Sequence, residues 1–376
     1  MKIDADLFGG AIHVLDTTDP TAVTLQLRAD NASDFMQWFH FRVTEADGAD
    51  LTFNIVNAGD ATYPGGWDEY RAAASYDGAR WFRVDTELVE EGTLTIRHAP
   101  EKPTCLYAYF AAYSWDRHLA LVESARRRPG VHVEMVGTSV EGRPIHRIRV
   151  GEHRPAKRQV WIIARQHPGE TMGQWFMEGV LARLLDPDDA MAREVLEGAV
   201  FYLVPLMNPD GAAHGNQRTN AAGRNLNREW LSPSAKESPE VLAVRKAMIA
   251  SGVDLFLDVH GDEDTPYVFA AGCEGNPGYS PRIDALEDLF MRTLTNLDDD
   301  FQRRYGYDLD EPGEADLSVA ANYAGERFDC LALTLEMPFK DAANHPDPEK
   351  GWSPERAAGF GAHVIGSILA CLPELR

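Results

Sequence analysis

The chain has 376 residues, 44% hydrophobic and 25% charged, which fits a soluble globular protein with more than one core. Its 59 Asp and Glu outweigh 36 Lys and Arg, and a net charge of −23 repels nucleic acid and anionic membranes, so neither is expected as a partner. No apolar run of bilayer-spanning length is expected, and Met1-Lys2-Ile3-Asp4 does not read as the start of a signal peptide. Cys105, Cys273, Cys330 and Cys371 lie too far apart for a disulfide framework or a thiolate metal site, and the expected compartment is the cytoplasm.

Residues 1–115 carry short alternating segments: Val23–Leu27, Met36–Val43, Leu51–Val56, Tyr70–Tyr76, Thr93–Arg97 and Leu106–Phe110. Turn-formers such as Asp47-Gly48, Pro64-Gly65-Gly66 and Asp77-Gly78 separate them. Strands at this spacing without a helical period predict an antiparallel β-sandwich domain, its aromatic residues (Trp38, Phe39, Phe41, Trp67, Trp81, Phe82) packed inside.

A helix over Trp115–Arg127 is expected to join this domain to a second, over residues 116–376. There the apolar runs Val160–Ala164, Ala199–Pro205, Val253–Val259 and Leu331–Met337 alternate with helical stretches Glu170–Leu185, Pro239–Ser251 and Pro281–Asn296. Ser238 and Pro239 start one helix and Gly252 stops it, while Ser353-Pro354-Glu355 starts a last helix running to about Leu372. This alternation predicts an α/β domain with a mostly parallel, twisted mixed sheet and helices on both faces.

The run Val160–Ala164 ends in Arg165-Gln166-His167-Pro168-Gly169-Glu170, where Pro and Gly break the strand. His167 and Glu170, three residues apart beyond a strand end, offer an imidazole nitrogen and a carboxylate oxygen to one point, a pair suited to zinc. His260 ends a second apolar run before Gly261 and supplies a third ligand at the carboxyl edge of the sheet. Asp258, two residues earlier on the same strand face, is placed either to orient it or to lie as surface acid. Glu336 alternates with Leu333 and Leu335, so a carboxylate sits inside an apolar strand, where a metal-activated water would need a base. Asn208-Pro209-Asp210-Gly211 opens a polar stretch with Arg218, Arg224 and Arg228 within eleven positions. Guanidinium groups there can grip a carboxylate bidentately or stabilise an oxyanion, and Arg224 can equally pair with surface acids.

His167-Pro168-Gly169-Glu170, Asn208-Pro209-Asp210-Gly211, Asn227-Arg228 with Trp230, His260 and Glu336, in that order, resemble zinc metallocarboxypeptidases of the carboxypeptidase A type. Gly137–Pro144 is similar to the segment before that family's first catalytic strand. The β-rich region ahead of it, with Gly215–Arg218 and Leu226–Arg228, is similar to the cytosolic carboxypeptidase branch. The resemblance implies one Zn2+ on His167, Glu170 and His260, with Glu336 as general base and then acid. It also implies Arg218 at the oxyanion, Asn227 and Arg228 on the substrate's terminal carboxylate, and peptide or protein C-termini as substrates. The family's capping tyrosine has three candidates, Tyr305, Tyr307 and Tyr323. Its specificity-pocket position, an arginine in glutamate-removing relatives, has Arg327 as the one arginine between Asp308 and Leu335. Two other readings stand beside it: a zinc amidohydrolase acting on N-acyl amino acids or peptidoglycan fragments, and a non-catalytic peptide-binding protein on the same scaffold. Activity confined to acylated amino acids would mark the first, and absence of metal the second. Neither side-chain preference nor oligomeric state follows from the residues.

Overall fold

Alternating apolar positions in the first third of the chain become two five-stranded sheets in a computed structural model, which describes residues 1–46 and 48–376. The Asp47 half of the expected Asp47-Gly48 turn lies outside the described residues. In chain order the strands are β1 (Lys2–Asp4), β2 (His13–Asp16), β3 (Val23–Gln26), β4 (His40–Thr44) and β5 (Leu51–Ile55). There follow β6 (Ala73–Ser75), β7 (Phe82–Arg83), β8 (Asp85–Val89), β9 (Thr93–His98) and β10 (Thr104–Ala108). One sheet has the order β1-β4-β10-β6-β7 and the other β2-β3-β5-β9-β8. Their inner faces meet through Phe53 of β5, whose ring lies 5.3 Å from Phe41 and 5.0 Å from Tyr107. The sandwich is therefore as expected, except that β3 pairs with β5 in parallel. Met36 and Gln37, expected in a strand, instead bond to Thr62 and Tyr63, and the strand begins at His40.

The remainder runs α1 (Trp115–Arg126), β11 (Val131–Thr138), β12 (Pro144–Val150), β13 (Arg158–Ala164), α2 (Met172–Leu184), α3 (Ala190–Gly198) and β14 (Ala199–Val204). It continues with α4 (Pro209–His214), α5 (Pro239–Ser251), β15 (Leu255–Asp262), β16 (Phe269–Ala271), α6 (Pro281–Leu297), α7 (Ala320–Phe328), β17 (Leu331–Pro338) and α8 (Pro354–Cys371). The sheet order is β11-β12-β14-β13-β15-β17-β16, parallel from β14 to β17 and antiparallel at both edges. Strand alternation divides its apolar residues between two faces. Val160, Ile162, Leu257 and Leu333 pack under α2, α6 and α8, whereas Trp161, Ile163, Phe256 and Ala332 pack under α5 and α7. The first of these clusters is continuous with the sandwich core, as Tyr109 stacked on Phe339 at 4.5 Å illustrates.

Some local expectations shift. Ser238 does stand at the N-cap of α5, but its hydroxyl donates to Glu229 Oε2 instead of capping the helix. The hairpin β11–β12 has half-exposed strands whose pattern was too weak to read. Residues Pro354–Glu374 are, by length and composition alone, long and apolar enough to cross a membrane, contrary to the expectation that no such run exists. Here α8 is a core helix packed on α2, with Phe360 5.6 Å from Phe176. All four cysteines are free and buried.

Candidate metal centre and its cleft

The carboxyl ends of β13, β15 and β17 lie side by side, and this edge gathers the chemistry. After β13 ends at Ala164, Arg165 adopts the left-handed region (φ 58°), uncommon for a side-chain-bearing residue. Its buried guanidinium donates to Gln174 Oε1 and to Pro168 O, fixing the turn it precedes. Gly169 is obligatory in that turn: a Cβ there would lie 2.2 Å from Gln217 Oε1 and 3.0 Å from Gln217 Cα. Asn208 caps α4 by accepting from the Gly211 amide, and its own amide donates to Gln166 O, so the expected Asn-Pro-Asp-Gly motif braces the same turn from below.

Among the described residues, His167, Glu170 and His260 form a buried group whose donor atoms all lie within 4.8 Å of one another. His167 Nδ1 is 2.6 Å from Glu170 Oε1, His260 Nδ1 is 2.8 Å from Glu170 Oε2, and the two Nδ1 atoms are 3.2 Å apart. The outer nitrogens fix the tautomers. His167 Nε2 lies 2.9 Å from Asn225 Oδ1, an oxygen that already accepts the Asn227 amide, so Nε2 is the donor. His260 Nε2 lies 2.8 Å from the Asp258 carboxylate and must likewise donate. In the neutral imidazoles both Nδ1 lone pairs therefore point at a carboxylate, an arrangement of acceptors facing acceptors that a bound cation satisfies. Two imidazoles and a carboxylate are a zinc donor set, and the residues present fit that ion. Burial depresses His167 to about 4, whereas Asp258 and Glu170 hold His260 well above its ordinary value against the effect of burial. Against burial too, the two histidines keep Glu170 below the usual carboxyl range. Asp258 is in turn oriented by Gln166 Nε2 at 2.6 Å, and Gln166 accepts from Trp230 Nε1 at 2.7 Å. Of this chain of contacts the sequence suggested only Asp258.

β15 runs on through Gly261 to Asp262, so His260 sits within the strand and not at its end as expected. That extension pairs it directly with Glu336 on β17. Glu336 is buried, with Oε2 lacking any partner among the described residues and Oε1 accepting from Tyr307 OH at 3.0 Å. Burial raises its carboxyl well above the ordinary value; His260 opposes the shift, and Glu170 and Asp262 add to it. The same Tyr307 hydroxyl lies 2.8 Å from Asp262 Oδ2, so its single proton is shared between the two carboxylates, which singles it out among the three candidate tyrosines. Tyr305 stacks on Tyr267, and Tyr323 packs against Trp230. Glu263, the alternative base should Glu336 not serve, is buried beside the centre, its carboxyl pushed up to about 8 chiefly by burial, and accepts from Gln217 Nε2.

These groups line a cleft of about 860 Å³ that also receives Tyr63, Arg218, Asn227 and Arg228. The Arg218 guanidinium has no hydrogen-bond or ion-pair partner among the described residues and packs over the rings of Phe35 and Tyr63, 5.6 Å from each centroid. Asn227 Oδ1 accepts the Ala320 amide at 2.8 Å, fixing its orientation. Its Nδ2 then lies 3.4 Å from His260 Nε2, donor against donor, and remains available to a ligand. Arg228 is half exposed, 3.7 Å from Asp316. Two arginines lie elsewhere: Arg224 pairs with Glu229 at 2.6 Å, and Arg327 is exposed on α7, away from the cleft, so it is no specificity-pocket residue.

A buried His-Glu-His donor set beside a buried carboxylate with one free oxygen, at the edge of a mixed α/β sheet, defines a metal-dependent hydrolase. Residues 119–355 match the zinc carboxypeptidase family and residues 3–110 the cytosolic carboxypeptidase N-terminal domain. The chain belongs to the zinc carboxypeptidase family and is a metallocarboxypeptidase, a hydrolase of peptide bonds. It is similar to a solved metallo-carboxypeptidase from Pseudomonas aeruginosa in complex with (2-guanidinoethylmercapto)succinic acid, with 50% identity, a TM-score of 0.97 and 100% of both chains covered. An uncharacterized protein of Zymomonas mobilis is 45% identical over 100% of this chain and 97% of its own. Cytosolic carboxypeptidase 1 of Mus musculus is 25% identical over 79% of this chain, which spans only 29% of that protein's length.

Proposed function

We propose that the chain removes C-terminal residues from peptides or proteins in the cytoplasm, with residues 1–115 and 116–376 as its two domains. His167, Glu170 and His260 would hold the zinc, which when bound would supply Lewis acidity and lower the pKa of water towards neutral pH. Glu336 accepts a proton from the attacking water and returns it to the leaving amine, so no covalent link to the protein forms. Arg218 donates hydrogen bonds to the carbonyl oxygen as negative charge develops on it. Asn227 Nδ2 and the Arg228 guanidinium hold the terminal carboxylate and thereby place the last peptide bond beside Glu336. Tyr307, bonded to Glu336 and Asp262, is the cleft tyrosine best placed to cover the bound terminus. The observation that carries this reading is that carboxylate-binding donors and a carboxylate with one free oxygen share one cleft with the metal donors. Support comes also from the 50%-identical relative, whose named ligand is a succinic acid derivative. The cytosolic setting is supported by the names of the cytosolic carboxypeptidase relatives.

Blocking the substrate's C-terminus tests it. Hydrogen bonds to charged groups contribute about 1.5–3 kcal/mol, so amidation should lower kcat/KM by roughly 10- to 150-fold, and Arg228→Ala should erase much of that difference. Equal cleavage of free and amidated peptides, or cleavage at internal bonds, would end the exopeptidase reading.

A further inference from the structure

The loop that presents Arg218 is held from the amino-terminal sandwich. Asp30, buried at the domain junction, accepts the backbone N–H of Gln217 at 2.6 Å, of Arg218 at 2.8 Å and of Thr219 at 2.8 Å, and the Thr219 hydroxyl at 3.0 Å. One carboxylate thus fixes three consecutive peptide planes. Asn31 adds a reciprocal pair with Asn216, and its amide donates to Ala221 O at 2.9 Å. Gly215 enters this contact with φ 71°, and a Cβ there would lie 2.7 Å from Gly9 O and 2.8 Å from Gly10 O. Asp30 also donates its own N–H to Phe35 O at 2.6 Å, closing a short turn that carries the Phe35 ring to the Arg218 guanidinium. Tyr63 brings a second ring from the same sandwich.

Three features coincide here. The backbone of Arg218 is tied by Asp30; its side chain packs over two rings from the sandwich; and its guanidinium is left free to donate into the cleft. A long, flexible side chain is held this way only by contacts on both its ends, since packing on aromatic faces limits its rotamers without using its N–H groups.

We infer that Asp30, Phe35 and Tyr63 are positioning residues for the hydrolytic step, so that the amino-terminal sandwich completes the active site by fixing Arg218. This rests on the reading of Arg218 as the oxyanion donor. The sandwich acts on the transition state through Arg218.

The test is steady-state kinetics of the zinc-loaded full-length enzyme on a peptide with a free C-terminus, with Asp30→Ala, Phe35→Leu and Arg218→Ala made singly and in pairs. Phe35 does not line the cleft, so its substitution does not alter substrate contacts directly. Small displacements of a transition-state donor cost up to about 10²-fold, so Asp30→Ala should lower kcat by about 10- to 100-fold and Phe35→Leu by about 3- to 10-fold. KM and zinc content should stay within about twofold in both, because neither residue touches the ground-state ligands. In the Arg218→Ala background either substitution should have less than about a twofold further effect, since residues acting through one group are not additive. If Asp30→Ala fails to fold, Phe35→Leu carries the same comparison. Equal fold-losses with and without Arg218 would overturn the inference while leaving Arg218's own role intact. An unchanged kcat in Arg218→Ala alone would overturn the oxyanion reading, and the inference with it.

Discussion

His260 and Glu336 face each other across a parallel ladder, whereas Arg218, Asn227 and Arg228 hang from the irregular segment between α4 and α5. The difference teaches how one cleft is built by two means. On the strand side, hydrogen-bonded register alone sets the spacing of the proposed base and ligand, and the apolar faces of β15 and β17 hold that register. On the loop side no ladder exists, so each group is fixed by a specific polar contact. Asp30 ties the Arg218 backbone, Ala320 N orients Asn227, and Asn225 ties the loop to His167. Strand-borne groups should therefore fail all at once when chemically altered, and loop-borne groups by degrees.

The largest effect should come from the strand side. His260→Ala removes one of three donors, and both stoichiometric zinc and hydrolysis should vanish in metal analysis and activity assays. Retention of tightly bound zinc would show that His260 is not a ligand. Next, Glu336→Gln should keep the fold and the metal but lose about 10²–10⁴ in kcat, the usual contribution of a general base. Near-normal turnover would move the base elsewhere in the cleft, with Glu263 the first candidate.

The smallest effect concerns what the loop side rests on. Glu240, at the start of α5, is fully buried and receives Asn220 Nδ2 at 3.2 Å; burial pushes its carboxyl from 4.5 up to about 7. A folded-state value above the unfolded one means that its stabilising contribution is complete below about pH 4.5 and is lost as pH rises through about 7. Glu240→Gln should therefore raise stability at pH 8 by about 1–3 kcal/mol and change it little at pH 4. Equal unfolding midpoints of variant and parent at both pH values would show that the carboxyl is not titrating there.

Much of this was legible in the chain because of periodicity. The apolar runs at 160, 199, 253 and 331 mark the four parallel strands to within a few residues, since a strand buried on both faces has little choice of composition. His167, Glu170 and His260 stood out because Pro, Gly or a strand end follows each run, and Glu336 because a carboxylate broke an apolar alternation. Other features had no such signal. Tyr307 reaches Glu336 from a turn 29 residues earlier, and no spacing rule connects them. Arg327 fitted by position in the sequence, but helix α7 turns it out to solvent.

The sequence by itself determined the two architectures and singled out the proposed metal donors and base, because these depend on local pattern and on residue chemistry at strand ends. Only the tertiary structure decided which arginine faces the cleft, which tyrosine meets the base, and that Asp30, Phe35 and Tyr63 stand behind Arg218. The reason is physical. A local period records which way a side chain leaves its own element. A hydrogen bond between residues 188 positions apart records where two separately folded surfaces come to rest, and no neighbouring residue carries that information.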